Sequence, residues 1–271
     1  MHHEIIKYPR TLHLKGSRLQ PGDTDHGQVR LGDIAPEANK VFEEKLDGAN
    51  SGVSFHLGHL LLQSRGHALM GGARERQFDL FKAWTQTHED DLHRILSDRY
   101  IMYGEWMYAR HSVYYDRLPH LFMEFDVFDK REGYFLSTPV RHAMFDGTPV
   151  VSVPVVHQGD VPKGDPARLV GPSLYKGPDW REGQRAAALA SGQDPDRVAR
   201  EGDGSDMMEG VYLKVEIGDR TVGRYKWIRP SFAQAIVDSG SHWAQRPILP
   251  NRLAEGVDIF AAPSSDRGLG P

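Results

Sequence analysis

The sequence predicts an α+β fold in which antiparallel β-sheets carry helices on their outer side. Three observations lead to it. Residues 51–56 and 60–64 are apolar, β-favouring arms on either side of the short turn Leu57-Gly-His59, a β-hairpin pattern. Residues 121–128, 208–216 and 222–229 add further runs of strand-type alternation. Helical periodicity is concentrated between strand runs, above all over 73–97, where Phe78, Phe81 and Trp84 recur at three-residue spacing beside Leu80 and make a core-facing stripe.

The chain of 271 residues suits one large domain or two small ones, and 39% hydrophobic residues with 10% aromatics suffice for a sizeable core. It has no cysteine, which excludes disulfides and Cys-ligated zinc and fits a reducing compartment. Lys plus Arg number 33 against 37 Asp plus Glu, a net charge of -4 that argues against unspecific coating of RNA but leaves room for a local basic track. No apolar run approaches the roughly 20 residues of a membrane span. The start, Met1-His-His-Glu-Ile-Ile-Lys7, lacks a signal-peptide pattern. These features predict a soluble cytoplasmic protein without a membrane partner.

Taken in order, residues 1–35 are short strands and loops, with turn chemistry at Tyr8-Pro-Arg10 and Gly16-Ser-Arg-Leu-Gln-Pro-Gly22. His2 and His3 read as a disordered terminus rather than a metal site. Next comes Val41-Phe-Glu-Glu-Lys-Leu-Asp-Gly-Ala-Asn-Ser51. Lys45 ends a buried strand before a tight turn. Burial disfavours the charged ammonium and is expected to lower its pKa, which suits an amine nucleophile. Asp47 is placed to help hold a metal or a hydroxyl, and Gly48 to let backbone approach a ligand. A strand-turn-strand with a surface lysine fits the same residues.

The helical stretch 73–97 begins with Arg74 and Arg76, candidates for phosphate contact on a helix face that is otherwise simply solvated. Residues 99–107 are a β-rich run containing Gly104-Glu105. The segment 109–117 interleaves cations and aromatics, a composition suited to RNA contact through Arg110 and Arg117. A serine-capped helix is expected over 137–145, and a strand over 150–156 that Pro154 breaks or confines to an edge. Residues 157–206 are rich in Gly, Pro and charge. They read as a surface insertion with helices near 180–190 and 195–200 and a flexible loop at Gly202-Asp-Gly204. In 222–229 the period of two puts Arg224 and Lys226 on one face, where two cations call for an anion between them. Residues 230–271 form a short helical tail, with a helix over 230–239 and Pro-rich sequence beyond.

Lys45-x-Asp47-Gly48 resembles motif I of the covalent nucleotidyltransferases, the ligases and capping enzymes, and Asn50 resembles its RNA ligase branch. The later motifs follow in family order: Arg65, Gly104-Glu105, the run containing Phe125, Glu209-Gly210 with Lys214, and Arg224-x-Lys226. The resemblance covers about 41–229. It implies a single nucleotidyltransferase (ATP-grasp-like) domain over 1–271, with antiparallel sheets forming a nucleotide cleft. The 45 residues after Lys226 are too few for the full C-terminal oligonucleotide-binding barrel.

The activity implied is that of an ATP-dependent RNA ligase of RNA repair. Lys45 would take AMP from ATP and pass it to an RNA 5′-phosphate, which is then sealed to a 3′-hydroxyl. Lys45, Asp47, Glu209 and Lys226 would be catalytic, with Glu209 and Asp47 holding Mg²⁺ or Mn²⁺. Glu44, Gly48, Asn50, Arg65, Glu105, Phe125, Lys214 and Arg224 would bind the nucleotide. Phe125, with Phe122 second, would stack on the base, Glu105 and Arg65 would hold the ribose, and Lys214 with Lys226 the α-phosphate. An end-healing or specificity partner protein is compatible with this reading. The alternatives are a non-catalytic RNA-binding protein on the same fold, or a GTP-dependent capping-type guanylyltransferase.

Overall fold

The structure, a computed structural model, describes residues 5–19, 28–238 and 246–262, without the side chains of residues 73, 74 and 238. His2, His3, residues 20–22 of the second turn, the end of the C-terminal helix at Ser239 and the tail from 263 therefore lie outside the described residues, as does the Arg74 side chain.

In chain order the strands are β1 (Leu12–Leu14), β2 (Gln28–Val29), β3 (Asn39–Lys45), β4 (Ala49–His56), β5 (His59–Ser64), β6 (Tyr100–Trp106), β7 (Phe122–Asp129), β8 (Tyr134–Leu136), β9 (Val151–Ser152), β10 (Val155–Gln158), β11 (Gly210–Ile217) and β12 (Arg220–Ile228). The helices are α1 (Asp79–Thr87), α2 (Glu89–Leu96), α3 (Thr138–Phe145), α4 (Trp180–Ala190), α5 (Pro195–Arg200) and α6 (Pro230–Asp238), and a 3-10 turn at Ala73–Phe78 leads into α1. No described helix is long and apolar enough to cross a membrane.

One continuous sheet runs β10-β3-β11-β12-β8-β7-β6-β4-β5, antiparallel throughout, with β1 and β9 added in parallel to β12 and β7, and β2 in parallel to β1. The wing β10-β3-β11-β12 joins the wing β8-β7-β6-β4-β5 through the short β12–β8 ladder, and beyond it through side chains. The Nζ of Lys214 on β11 lies 3.3 Å from the Asp126 carboxylate on β7 and donates to the Phe125 carbonyl. The chain crosses from one wing to the other in the short link after Lys45.

Alternation along β3 and β11 explains the layering. Phe42, Val211 and Leu213 point away from the other wing into a core with Leu14, Leu31 and Trp227. Lys45, Glu43 and Lys214 point toward it. The larger core lies on the second wing, where Phe78, Phe81, Trp84, Leu92 and Leu96 pack on Trp106 and Phe122. The predicted stripe is thus core, except that Leu80 is exposed.

Between the wings sits a buried ion network. Arg141 of α3 holds Glu124 at 2.7 Å and Glu43 at 2.6 Å. Lys214 holds Glu43 at 2.9 Å, and Arg224 lies 3.6 Å from Asp126. Three cations thus face three carboxylates, which is how charges survive out of water.

Several expectations are corrected here. The side chain of Ser137 does not cap α3. Glu216 does, accepting from the Thr138 N–H at 2.6 Å and its hydroxyl at 2.7 Å. The 109–117 segment is no open surface. Arg110 is buried, and only Arg117 of its two arginines is exposed. The 202–204 loop is not loose. Asp203 is buried and bonds Arg229, and a Cβ on Gly202 would collide with Arg110 and the Ser112 carbonyl. The helices expected near 180–190 and 195–200 are present as α4 and α5, and their Trp180 and Val198 pack with Tyr114 and Leu249. As expected, by contrast, the 150–156 strand breaks at Pro154, into β9 and the edge strand β10, and the Pro154 carbonyl accepts from Glu44 N–H.

Candidate active site

A cleft of about 1420 Å³ opens between the wings. Among the predicted residues it is lined by Lys45, Asp47, Gly48, Asn50, Arg65, Glu105, Phe125, Glu209 and Lys226, drawn from both wings. Lys45 ends β3 and lies opposite Gly210 at the start of β11, so register alone brings Glu209 to it. The Lys45 ammonium lies 2.9 Å from the Glu209 carboxylate.

This pair overturns the expected direction of the Lys45 pKa. Burial works to lower it, but Glu209, Glu105 and Asp47 outweigh burial and hold the ammonium above its ordinary range. Burial in turn pushes Glu209 up to about 7 and Glu105 up to about 8, against the pull of Lys45. Burial thus favours the protonated form of both carboxyls, and the pull of Lys45 does not offset it.

Asp47 lines the cleft and also orders the backbone around it. Its Oδ2 accepts from the backbone N–H of Ser112 at 2.7 Å and of Val113 at 2.9 Å, and its own N–H donates to the Tyr115 hydroxyl at 3.0 Å. It thereby pins the 109–117 segment beside Lys45. Gly48 lines the cleft, and packing also requires a glycine there: a Cβ would meet the Met107 sulfur at 2.6 Å and the Trp106 carbonyl at 2.9 Å.

Opposite Lys45, Asn50 and Glu105 pair across β4 and β6. Asn50 Oδ1 and Glu105 Oε2 are buried without a hydrogen-bond partner. Two orphaned acceptors on a cleft wall are costly unless a ligand donates to them. Arg65 is exposed at the rim. Phe125 presents its ring to the cleft, whereas Phe122 is stacked in the core on Phe81 and Trp84 at 5.3 Å from each.

Three predicted nucleotide contacts do not line the cleft. Glu44 alternates to the opposite face from Lys45, where it binds Ser173 Oγ at 2.6 Å. Lys214 is fully buried in the ion network. Arg224 shares a face with Lys226 as predicted, but Asp126 and the faces of Phe135, 3.6 Å away, and Tyr8 receive its charge, so no triphosphate is needed between the two cations.

The structure adds residues that pattern reading passed over: Tyr8, Thr11, Tyr212, His111 and Arg246 also line the cleft. Tyr212 follows Glu209 by three positions on the same strand face as Lys214, a signal that alternation offered. Tyr8 and Arg246 reach the cleft only through tertiary packing.

A family model described as RNA ligase matches residues 39–228. No curated protein matches the chain. Among solved structures it is similar to Naegleria gruberi RNA ligase. A lysine-to-alanine variant with ATP and Mn superposes with a TM-score of 0.52 at 15% identity, covering 87% of this chain and 64% of that one. A lysine-to-methionine variant with AMP and Mn gives 0.51 at 17% identity, covering 86% and 64%. The fold is shared, and the chain spans somewhat under two thirds of the length of those ligases. With most of its length matched, in a fold that brings Lys45, Glu105 and Glu209 to one cleft, the chain belongs to the RNA ligase family.

Proposed function

We propose that the protein is an ATP-dependent RNA ligase whose nucleophile is Lys45, built on a nucleotidyltransferase domain. The observation that carries this reading is the Lys45–Glu209 pair on the wall of a cleft with unmet acceptors opposite, in a chain of the RNA ligase family. ATP would lie with its base against Phe125 and its ribose hydroxyls donating to Glu105 and Asn50. Its phosphates would run toward Lys45 and Lys226.

In the first step the Lys45 amine forms a bond to the α-phosphorus, and the bond to the β-phosphate breaks to release pyrophosphate. Lys45 must first lose a proton and its bridge to Glu209, so nucleotide entry has to open that pair. The 5′-phosphate of an RNA end then displaces Lys45 from AMP. A 3′-hydroxyl finally displaces AMP and closes the phosphodiester. The protein supplies position and charge, which phosphoryl transfer chiefly requires.

No group of three acidic or histidine side chains suited to a metal occurs among the described residues. Glu209 with Asp47 instead offers the one or two carboxylates by which Mg²⁺ or Mn²⁺ is held together with phosphate oxygens and water. When bound, such an ion neutralises phosphate charge and competes with Lys45 for Glu209. RNA would lie along exposed arginines such as Arg76 and Arg117, and the absence of cysteine fits a cytoplasmic setting.

The test is incubation with each labelled nucleotide and Mg²⁺ or Mn²⁺, followed by a denaturing gel, then addition of a nicked or single-stranded RNA with a 5′-phosphate. Labelled protein that loses its label as RNA is sealed supports the reading. Labelled protein that seals no RNA of any geometry would leave a lone adenylyltransferase.

A further inference from the structure

We propose that Tyr8, Thr11 and Tyr212 form a hydroxyl chain with a fixed proton order that selects the exocyclic amine of adenine over the ring carbonyl of guanine or hypoxanthine. This rests on the reading of the cleft as a nucleotide site. All three residues line the cleft at its aromatic end, beside Phe125. Tyr8 meets the Phe125 ring edge-on at 5.1 Å, and Tyr212 lies 6.3 Å from it. Flat apolar walls suit a base, and the charged end of the cleft lies toward Lys45.

The proton order follows from counting. Asp126 is fully buried and pairs with Lys214 at 3.3 Å and Arg224 at 3.6 Å, so it is a carboxylate and can only accept. The Tyr8 hydroxyl lies 2.5 Å from its Oδ2 and must donate there. A phenol has one proton. At 2.6 Å from Tyr8, the Tyr212 hydroxyl must therefore donate to Tyr8. Thr11, 2.7 Å from Tyr212, must in turn donate to Tyr212. Burial and the Asp126 charge push the Tyr8 and Tyr212 pKa values upward, so both phenols keep their protons. Every hydroxyl proton points down the chain to Asp126. The Tyr8 oxygen also accepts from Arg224, so the lone pairs left to the cleft are those of Tyr212 and Thr11.

An amine of adenine donates to such a wall. The carbonyl of hypoxanthine or guanine would set lone pairs against lone pairs, leaving both sides unsatisfied in a buried place. Tyr8 and Thr11 precede the matched family region at 39–228 and Tyr212 lies within it, so the wall is completed by this chain's N-terminal segment.

The experiment measures initial rates of lysine labelling by ATP, GTP and inosine triphosphate at subsaturating concentration, for wild type, Tyr8→Phe and Thr11→Val. Wild type is expected to prefer ATP over inosine triphosphate by about tenfold or more, the scale of one mismatched buried hydrogen bond. Tyr8→Phe cuts the chain from Asp126 and frees the Tyr212 proton to turn, so the preference should fall several-fold through a gain in inosine triphosphate use. Thr11→Val removes the outermost acceptor and should lower the preference through a loss of ATP use. The inference is overturned if wild type uses the two nucleotides equally, if neither variant moves their ratio, or if the variants lose all nucleotides in parallel. If wild type is labelled by none of them, the ligase reading itself fails.

Discussion

Replacing Lys214 separates two readings of the cleft. In the structure its ammonium is fully buried, 2.9 Å from Glu43 and 3.3 Å from Asp126, and it anchors the Phe125 carbonyl. Lys214→Met keeps the stem but removes one cation from a dry interior, leaving Glu43 to Arg141 alone and Asp126 to Arg224. Breaking a buried pair from one side costs about 3–5 kcal/mol. For a chain of this size that lowers Tm by roughly 6–20 °C. Calorimetry of the ligand-free protein measures it. Below its transition the variant should still label Lys45, with a raised ATP requirement, because Phe125 loses an anchor while no phosphate contact is removed. An unchanged Tm with labelling abolished would refute this reasoning and return Lys214 to the phosphates.

Three further outcomes follow from the same geometry. Labelling of Lys45 should rise with pH through neutrality, since its carboxylate neighbours hold the amine protonated, and Glu209→Gln should move that rise to lower pH by about one unit or more; a pH–rate profile that Glu209→Gln leaves in place would contradict it. Glu105 and Glu209 titrate at about 8 and about 7, above their ordinary 4.5, so the folded state binds extra protons between these values; the stability they contribute is present at acid pH and lost as pH rises through 7 to 8. Thermal melts of the ligand-free protein from about pH 5 to about pH 8.5 should show this decline, and Glu105→Gln should flatten it. Arg76→Ala and Arg117→Ala, both at exposed positions, should weaken RNA sealing while leaving labelling nearly intact, whereas loss of both activities in parallel would show that these arginines serve the fold or the nucleotide.

The strands were legible because they alternate, and the stripe of Phe78, Phe81 and Trp84 because it keeps a helical period. The short motif around Lys45 located the cleft for the same reason: a strand end followed by a tight link fixes which side chains face inward. What could not be read were properties that several distant segments create together. Lys45 looks like a buried amine in sequence, and only the register of β3 against β11 shows the carboxylate that keeps it charged. Lys214 and Arg224 look like phosphate ligands until Asp126 and Glu43 arrive from other strands. Glu44 is the exception, since alternation beside Lys45 already placed it on the far face. Arg110 carries the composition of an RNA contact, yet Gly202 and Ser112 close over it. Tyr8 carries no local signal at all.

The most direct test of the account is to identify the atom that carries the nucleotide. Wild-type protein is incubated with labelled ATP and Mg²⁺ or Mn²⁺, digested, and mapped by tandem mass spectrometry. The account predicts one AMP per chain on Lys45 through an acid-labile P–N bond, and no label on Lys45→Ala or on Lys45→Arg, whose guanidinium keeps its proton. AMP on another residue, or label retained by Lys45→Ala, would contradict it.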